Sequence, residues 1–199
     1  MISIDYQRFE NEVTMLPRTD DPSIAETRAW VERVVIGLKL CPFAPAPALK
    51  GLIRYVTSDA ETSEALMEHL ATELQNLVSA PPEELETTLL IHPRVLQDFH
   101  DFNDFLTVAD ELLRVLGHEG EIQIASFHPN YQFAGTEPDD IGNATNRSPY
   151  PTLHLLREQS LSRAIDSFGD TGSITAANLG TLENLGPKGL QALMLGSPP

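Results

Sequence analysis

Three short apolar segments recur along the chain at intervals of roughly 30 residues, and one amphipathic helical pattern lies in each interval. The segments are 51–57 (GLIRYVT), 86–92 (ETTLLIH) and 121–128 (EIQIASFH). A helix between two strands at this spacing is typical of a parallel crossover connection. The sequence therefore predicts an α/β fold, a small layered domain with three or four mainly parallel strands and amphipathic helices. The alternative is a ferredoxin-like α+β sandwich with an additional strand at 131–135.

Residues typical of helix N-termini mark the starts of the first two predicted helices. Asp21 and Pro22 are typical of an N-cap followed by the first helical residue, and they predict a first helix that ends before Pro42. The pattern from Ser58 to Glu61 predicts a capping box that opens a second helix. Both helices carry apolar residues at helical spacing, so one face of each is expected to be buried.

Two later stretches show the same periodicity. A third helix is predicted from Asp98 to Leu116, with Gly117 in the position of a C-cap glycine. A fourth helix is predicted to begin at Pro151 or Thr152, directly after a long irregular segment. The predicted order is therefore a helix, then three strands with two helices between them, then further helices.

The chain is predicted to form one globular domain over residues 21–195. Residues 1–20 are polar without clear periodicity and predict a flexible arm, while 196–199 predict a disordered tail. Within the domain, residues 169–177 are rich in Gly, Ser and Thr and predict a loop. A short helix is expected to follow over 178–185.

Acidic residues outnumber basic ones by 29 to 13, which gives a formal charge of −16. Such a surface repels phosphate, so nucleic acid and anionic membranes are not expected as partners. Cys41 is the only cysteine, which excludes an intramolecular disulfide bond. Residues 1–20 lack the apolar stretch of a signal peptide, and no apolar run is long enough to cross a bilayer. These features favour a cytoplasmic protein.

The segment 127–158 concentrates polar and aromatic side chains. Its irregular part, 129–151, is longer than most loops of compact domains, unless such a loop is functional or disordered. The aromatic, amide and proline content is not that of a disordered linker. We therefore expect a functional loop that covers a site.

Histidines end two of the predicted strands. His92 and His128 each precede a proline at the predicted carboxyl edge, where open parallel sheets bind ligands. His154 and Glu158, four residues apart in the predicted fourth helix, would share a helix face near that edge. Three imidazoles and a carboxylate suit zinc, iron or manganese, so a divalent metal ion is a candidate cofactor. Alternatively, the first two histidines only form turns, and His154 and Glu158 form a surface pair.

A second group of candidate residues precedes the predicted fourth helix. A helix N-terminus attracts anions, and the guanidinium of Arg147 suits a carboxylate or a phosphate. The predicted ligand-binding residues are Asn143, Asn146, Arg147, Ser148 and Arg157. The alternative is that Arg147 pairs with Asp139 or Asp140 and only holds the loop.

Three roles are open to Cys41: a nucleophile, a metal ligand or a buried apolar filler. Free cysteines are among the most buried residue types, which favours the last of these. In a regular αβ unit, Cys41 would lie near the amino edge of the first strand, away from His92 and His128. A position beside His128 would favour a catalytic role.

Four motifs carry a resemblance to a known family. They are 41–43 (CPF), 99–105 (FHDFNDF), 122–129 (IQIASFHP) and 146–154 (NRSPYPTLH). Together they resemble the bacterial family catalogued as domain of unknown function 1415, over residues 27–185. The resemblance implies a single-domain, soluble protein, and it brings no assigned activity.

The candidate residues favour a small-molecule enzyme, with a divalent metal ion as one option, whose site lies under the loop 129–151. His128 and His154 would be metal ligands or acid–base groups, Glu158 would orient His154, and Tyr131 would supply a directional hydrogen bond. One alternative is a non-catalytic module that binds an anion or a nucleotide through Arg147. Another is a protein that binds a partner through the loop.

Overall fold

The computed structural model of the protein describes residues 21–168 and 171–195. The predicted arm at 1–20 and the predicted tail at 196–199 lie outside the described residues. In the described parts of the chain, no helix is both long enough and apolar enough to span a membrane.

Four strands form one mixed sheet. Their bounds are Ile53–Thr57 (β1), Thr87–Ile91 (β2), Ile122–Phe127 (β3) and Thr152–Arg157 (β4). The sheet order is β1-β2-β4-β3, in which β1 pairs with β2 in parallel and β4 pairs antiparallel with both β2 and β3. In one row across the sheet, His154 lies between Leu89 and Ala125. The strands β1, β2 and β3 therefore run in one direction, with β4 inserted against them.

Helices connect the strands and cover both faces of the sheet. Their bounds are Pro22–Trp30 (α1), Pro45–Lys50 (α2), Ser63–Ser79 (α3), Phe99–Leu116 (α4), Glu158–Phe168 (α5) and Thr171–Met194 (α6). The helix α1 continues into a π-helix at Val31–Ile36, and a 3₁₀ helix at Ile141–Asn146 lies in the loop between β3 and β4. The helix α6 is kinked at Gly186, where φ is 67°.

Two apolar cores lie on opposite faces of the sheet. The first core joins the sheet to α3 and α4, and its strand residues include Leu90, Leu153 and Leu155. The second core joins the sheet to α1, the π-helix and α6, and it contains Leu89 and Ile91. Because side chains alternate along a strand, successive residues enter different cores. The fold is therefore a three-layer arrangement with the sheet in the middle.

The predicted start of α1 and both predicted ends of α4 are confirmed. The Asp21 carboxylate accepts a hydrogen bond from the Ser23 amide at 2.8 Å, and Asp98 accepts one from the His100 amide at 2.8 Å. Gly117 ends α4 in the left-handed conformation, with φ of 77°. Glycine adopts this conformation without the steric cost that a β-carbon adds. Local sequence signals therefore specified both ends of α4.

The predicted fourth helix is wrong in its first part. Residues 152–157 form β4, and the helix begins only at Glu158. The segment is extended because it lies in the space between β2 and β3. An extended segment there pairs with both strands, whereas a helix would leave the facing strand edges without hydrogen-bond partners.

Other expectations also change. The α/β class is confirmed, but only the pairing of β1 with β2 is parallel, so the sheet is not mainly parallel. Residues 131–135, the extra strand of the ferredoxin-like alternative, are loop. The helix α3 starts at Ser63 rather than at 58–61, and its N-cap is Thr62, which accepts a hydrogen bond from the Ala65 amide at 3.2 Å. Of the predicted loop at 169–177, residues 171–177 form the first turns of α6, and 169–170 lie outside the described residues.

Candidate functional site

The alternation of β4 decides which face of the sheet carries His154. Leu153 and Leu155 enter the core beneath α3 and α4, so His154 between them faces the opposite side. The centroid of its ring lies 6.0 Å from that of Phe127, which packs against the second core. His154 is therefore on the α1 side of the sheet.

His92 and His128 lie on the other side, against α4. Their ring centroids are 5.7 Å and 5.1 Å from that of Phe102. The His128 ring also lies 5.4 Å from that of Phe99, and the Phe99 ring lies 5.1 Å from that of Tyr131. The predicted catalytic residues His128 and Tyr131 thus belong to an aromatic cluster at the carboxyl edge of β2 and β3.

Hydrogen bonds fix the tautomers of the two histidines in this cluster. The Nδ1–H of His92 donates to the Val95 carbonyl at 3.1 Å, and the buried Nε2 has no partner among the described residues. His128 accepts from the Asn130 amide at Nδ1, and its Nε2–H donates to the Leu96 carbonyl at 3.3 Å. Leu96 has a φ of 55°, which is rare for a residue with a side chain. The two imidazoles therefore hold a strained turn that leads into α4.

Both imidazoles are neutral at physiological pH. Burial lowers the pKa of His92 to about 4, and burial also lowers the pKa of His128 below its ordinary value. A neutral imidazole keeps one nitrogen as a donor and one as an acceptor, which matches the bonds that they make.

The structure does not bring together the residues of the predicted metal site, His92, His128, His154 and Glu158. The sheet lies between His154 and the other two histidines, and Glu158 follows the far end of β4, where its amide donates to the Glu121 carbonyl at 2.9 Å. Across residues 21–168 and 171–195, no group of three or more His, Cys, Asp or Glu side chains is placed to hold a metal ion. The sequence predicts their convergence only if His154 and Glu158 share a helix face, whereas His154 lies in β4 and Glu158 begins α5.

Asn143 and Ser148 of the loop 129–151 make their hydrogen bonds within the loop. Asn143 is fully buried; its Oδ1 accepts from the Phe133 amide at 3.0 Å, and its Nδ2 donates to the Glu137 carbonyl at 2.9 Å. The Ser148 hydroxyl donates to a loop carbonyl two residues further on, at 2.6 Å. These bonds account for an ordered loop without a ligand.

Arg147 and Asn146 also bind backbone carbonyls. The Arg147 guanidinium donates to the carbonyls of Tyr131 at 3.1 Å and Pro138 at 2.6 Å, rather than to Asp139 or Asp140. Asn146 donates from Nδ2 to a carbonyl of β3 at 3.1 Å. The alternative that Arg147 holds the loop thus agrees with its contacts, although its partners are carbonyls and not carboxylates.

Arg157 binds the end of a helix. Its Nη2 donates to the carbonyls of Leu77 at 2.5 Å and Ala80 at 2.6 Å, and both Nη2 and Nε approach the Leu85 carbonyl, at 3.1 Å and 3.3 Å. The last carbonyls of a helix lack intrahelical donors, and a guanidinium is a suitable partner for them. Arg157 therefore fastens the end of α3 to the end of β4.

A cavity of about 730 Å³ lies on the α1 side of the sheet, and we call it the His154 cavity. The sheet contributes Thr87, Leu89 and His154 to it, and the π-helix contributes Val31 and Val35. The helix α2 and the helix α5 close two further sides. Most of the lining side chains are apolar, and the volume is within the range of small-molecule pockets, roughly 300–1,000 Å³.

The hydrogen bonds of Thr87 set the tautomer of His154. The Thr87 hydroxyl has one proton, which it donates to the Leu155 carbonyl at 2.6 Å. It must therefore accept the bond that joins its oxygen to Nε2 of His154 at 2.7 Å, so Nε2 carries the proton. The other nitrogen, Nδ1, is then a free acceptor on a side chain that lines the cavity.

Burial lowers the pKa of His154 to about 4, so the ring is neutral at physiological pH. The chain of bonds from His154 through Thr87 to a backbone carbonyl holds the ring in one orientation. A neutral, oriented imidazole with a free Nδ1 can accept a hydrogen bond or a proton from a bound molecule.

Cys41 borders the same cavity as His154. It lies between the π-helix and α2, and its side chain is partly exposed. His128, the residue that the sequence analysis considered as its catalytic partner, does not border this cavity. The structure thus groups Cys41 with His154.

Two backbone irregularities occur in the segment that forms one side of the cavity. The π-helix Val31–Ile36 is a geometry that often occurs at functional sites. Lys39 follows it with a φ of 57°, a left-handed backbone that costs a residue with a side chain about 1–2 kcal/mol. Such features persist where the surrounding structure holds them, and they concentrate at functional sites.

The indole Nε1–H of Trp30 is an unusual polar group in this region. The residue is 4 % exposed, borders the cavity and packs edge-on against Phe127, with ring centroids 5.2 Å apart. Its Nε1–H has no acceptor in the part of the chain that the structure describes. A buried donor without a partner is uncommon and calls for an explanation.

Sequence reasoning singled out neither Thr87 nor Trp30 as a site residue. Thr87 is significant only because it lies opposite β4, and β4 had been interpreted as a helix. The alternation of polar and apolar residues from Thr152 to Leu155 was the available signal for a strand. With that strand recognised, His154 and Leu153 would have been expected on opposite faces.

The amino-acid sequence matches a known protein family. The family model described as "Protein of unknown function (DUF1415)" matches residues 22–192. The chain belongs to this family. No curated protein and no solved structure matches the chain. The DUF1415 protein must therefore be interpreted from its own geometry.

Proposed function

We propose that this DUF1415 protein is a small-molecule enzyme whose substrate binds in the His154 cavity. The observation that carries the proposal is the hydrogen-bonded orientation of His154, which leaves Nδ1 as a free acceptor in the wall of a ligand-sized cavity. His154 is the general base of this proposal, and Thr87 is the residue that positions it.

The lining of the cavity indicates the class of ligand. Leu89, Phe127 and Leu156 line the sheet side, and Leu161 and Ala164 line the side formed by α5. Apolar ligand surface that leaves water for this lining contributes roughly 25 cal/mol of binding free energy per Å². The substrate is therefore a molecule with an apolar body and at least one polar group directed at His154.

This proposal moves the site from the loop 129–151 to the opposite face of the sheet. Asn143, Arg147 and Ser148 bond to the backbone of the loop itself, so fewer of their donors remain for a ligand. An anion site centred on Arg147 is accordingly the weaker candidate, since its Nε and Nη2 already bind carbonyls. In the His154 cavity, by contrast, the acceptor Nδ1 is free.

Ligand binding can be tested with a series of linear aliphatic amides of increasing chain length. We expect thermal stabilisation that increases with chain length in the wild type. Ala125→Leu, which adds volume beside His154 in the cavity, should abolish this stabilisation. Val115→Leu, at an exposed position of α4, is the matched control and should bind like the wild type.

The role of His154 requires a second comparison. His154→Gln should still bind the longer amides, because the apolar walls remain, but it should lose turnover of any substrate that the wild type converts. Equal stabilisation in the wild type and Ala125→Leu would contradict the location of the site. Full turnover in His154→Gln would contradict the general-base role.

A further inference from the structure

Cys41 and His154 come from distant parts of the chain, and both border one cavity. The segment that carries Cys41 is held from both sides. The π-helix precedes it, and the Asn178 side chain of α6 donates to the Leu40 carbonyl at 2.8 Å. Lys39 adopts its left-handed conformation in this segment, directly before Leu40. A thiol is therefore presented to the cavity on a segment with an unusual and braced backbone.

Two further observations point to a ligand beside this thiol. Nδ1 of His154 is an acceptor without a partner in the described structure, while its Nε2–H is fixed on Thr87. Trp30, which is 4 % exposed, has a donor without an acceptor and borders the same cavity.

We propose that Cys41 is the catalytic nucleophile of the cavity, with His154 as its base and Thr87 as a positioning residue, and that the substrate is an ester or thioester of an aliphatic acid. This inference rests on the proposed function and names its substrate class. A thiol, an imidazole and a third group that orients the imidazole are the parts of a nucleophilic acyl-transfer site.

The reaction balances with water as the only co-reactant. His154 takes the proton of the Cys41 thiol at Nδ1, directly or through one water molecule, and the thiolate forms a bond to the carbonyl carbon of the substrate. The tetrahedral intermediate expels the alcohol or thiol, which leaves with the proton from Nδ1. Water then attacks the acyl-cysteine, gives a proton to His154, and the Cys41 sulfur leaves and recovers that proton. The products are the aliphatic acid and the alcohol or thiol.

The apolar lining explains why an aliphatic acyl group is favoured. Each methylene that becomes buried contributes about 0.8 kcal/mol, which is roughly a fourfold change in an equilibrium or rate constant. An acyl chain of six carbons should therefore react at least about tenfold faster than an acetyl group.

The single cysteine makes a direct test possible, because any acylated thiol must be Cys41. Full-length protein is mixed with p-nitrophenyl hexanoate or p-nitrophenyl acetate, and the release of p-nitrophenolate is followed together with the intact mass. We expect a burst of about one equivalent, an acyl adduct on Cys41, and a faster reaction with the hexanoate. Cys41→Ser and Cys41→Ala should form no such adduct.

Variants of the other two residues separate chemistry from folding. His154→Gln should slow acylation by about 10²- to 10⁴-fold, while His100→Gln, an exposed histidine of α4, is the matched control and should react like the wild type. Thr87→Val should alter the pH dependence of acylation, and Thr87→Ser should restore it, because serine keeps the hydroxyl. Circular dichroism of each variant establishes that it is folded.

Three results would overturn the inference: no adduct on Cys41, equal rates with the two esters, or an unchanged acylation rate in folded His154→Gln. Binding of the aliphatic amides to Cys41→Ala then decides whether only the nucleophile is wrong or the ligand site as well. If Cys41→Ala binds the amides, the cavity is a ligand site and only the nucleophile is wrong. If neither it nor the wild type binds them, the proposed function fails as well.

Discussion

Replacing Arg157 with Met removes a guanidinium that binds three backbone carbonyls at the end of α3 while keeping a side chain of similar length. The three carbonyls belong to Leu77, Ala80 and Leu85. A hydrogen bond to a charged group contributes about 1.5–3 kcal/mol when both partners are buried. Since Arg157 is only partly buried, water can replace part of each bond, and about 1 kcal/mol per carbonyl is the appropriate magnitude.

The expected loss is therefore about 3 kcal/mol of unfolding free energy in Arg157→Met. With a urea m-value of about 2–3 kcal/mol/M, the midpoint of unfolding should fall by about 1–1.5 M. Arg157→Lys should lose about half as much, because one ammonium group cannot reach all three carbonyls in the planar arrangement of a guanidinium. Urea titrations followed by circular dichroism measure both changes.

Arg163→Met is the matched control for this measurement. Arg163 lies on the exposed side of α5, where it donates to Ser160 at 3.0 Å, and its replacement should change stability by less than about 0.5 kcal/mol. If Arg157→Met and Arg163→Met have the same midpoint, the carbonyl contacts contribute little to folding. Arg157 would then have to be reconsidered as the ligand-binding residue that the sequence suggested.

Three further outcomes follow from the described contacts. The free energy of unfolding should decrease as the pH is lowered from about 6.5 towards 4, because His92 binds a proton in the unfolded chain over this range but not in the folded one. His92→Gln should show a shallower decrease, which urea titrations at several pH values measure. Lys39→Gly should raise the thermal unfolding midpoint and Lys39→Val should lower it, since φ is 57° there, and a change in the opposite directions would contradict strain at this residue. Asn143→Ala should speed amide hydrogen exchange in the loop 129–151 but not in β2, and unchanged exchange would show that Asn143 does not hold the loop.

Much of the fold could be predicted from local patterns. The strands β1, β2 and β3 were expected close to their observed bounds, because each is a short apolar run between turn-forming residues. The limits of α4 followed from Asp98 and Gly117, whose side chains or conformations act on the nearest turn alone. The resemblance to the DUF1415 family is likewise a property of motifs along the chain, and the family model confirms it.

The candidate site could not be predicted in the same way. His92, His128 and His154 were expected to converge, but which face a strand residue takes depends on the pairing and parity of its strand. Reassigning 152–157 from helix to strand moves His154 to the side of Thr87 and Cys41. The alternation from Thr152 to Leu155 indicates a strand, but it does not say which strands that segment pairs with.

The sequence by itself determined the start of α1, both ends of α4, the three parallel-directed strands, the net charge of −16 and the presence of a single thiol. The tertiary structure alone decided that β4 fills the space between β2 and β3. The physical reason is that hydrogen bonding between strands is non-local: the segment Thr152–Arg157 becomes extended because two strand edges lie on either side of it. His154, Thr87 and the cavity that they share with Cys41 are a consequence of that pairing.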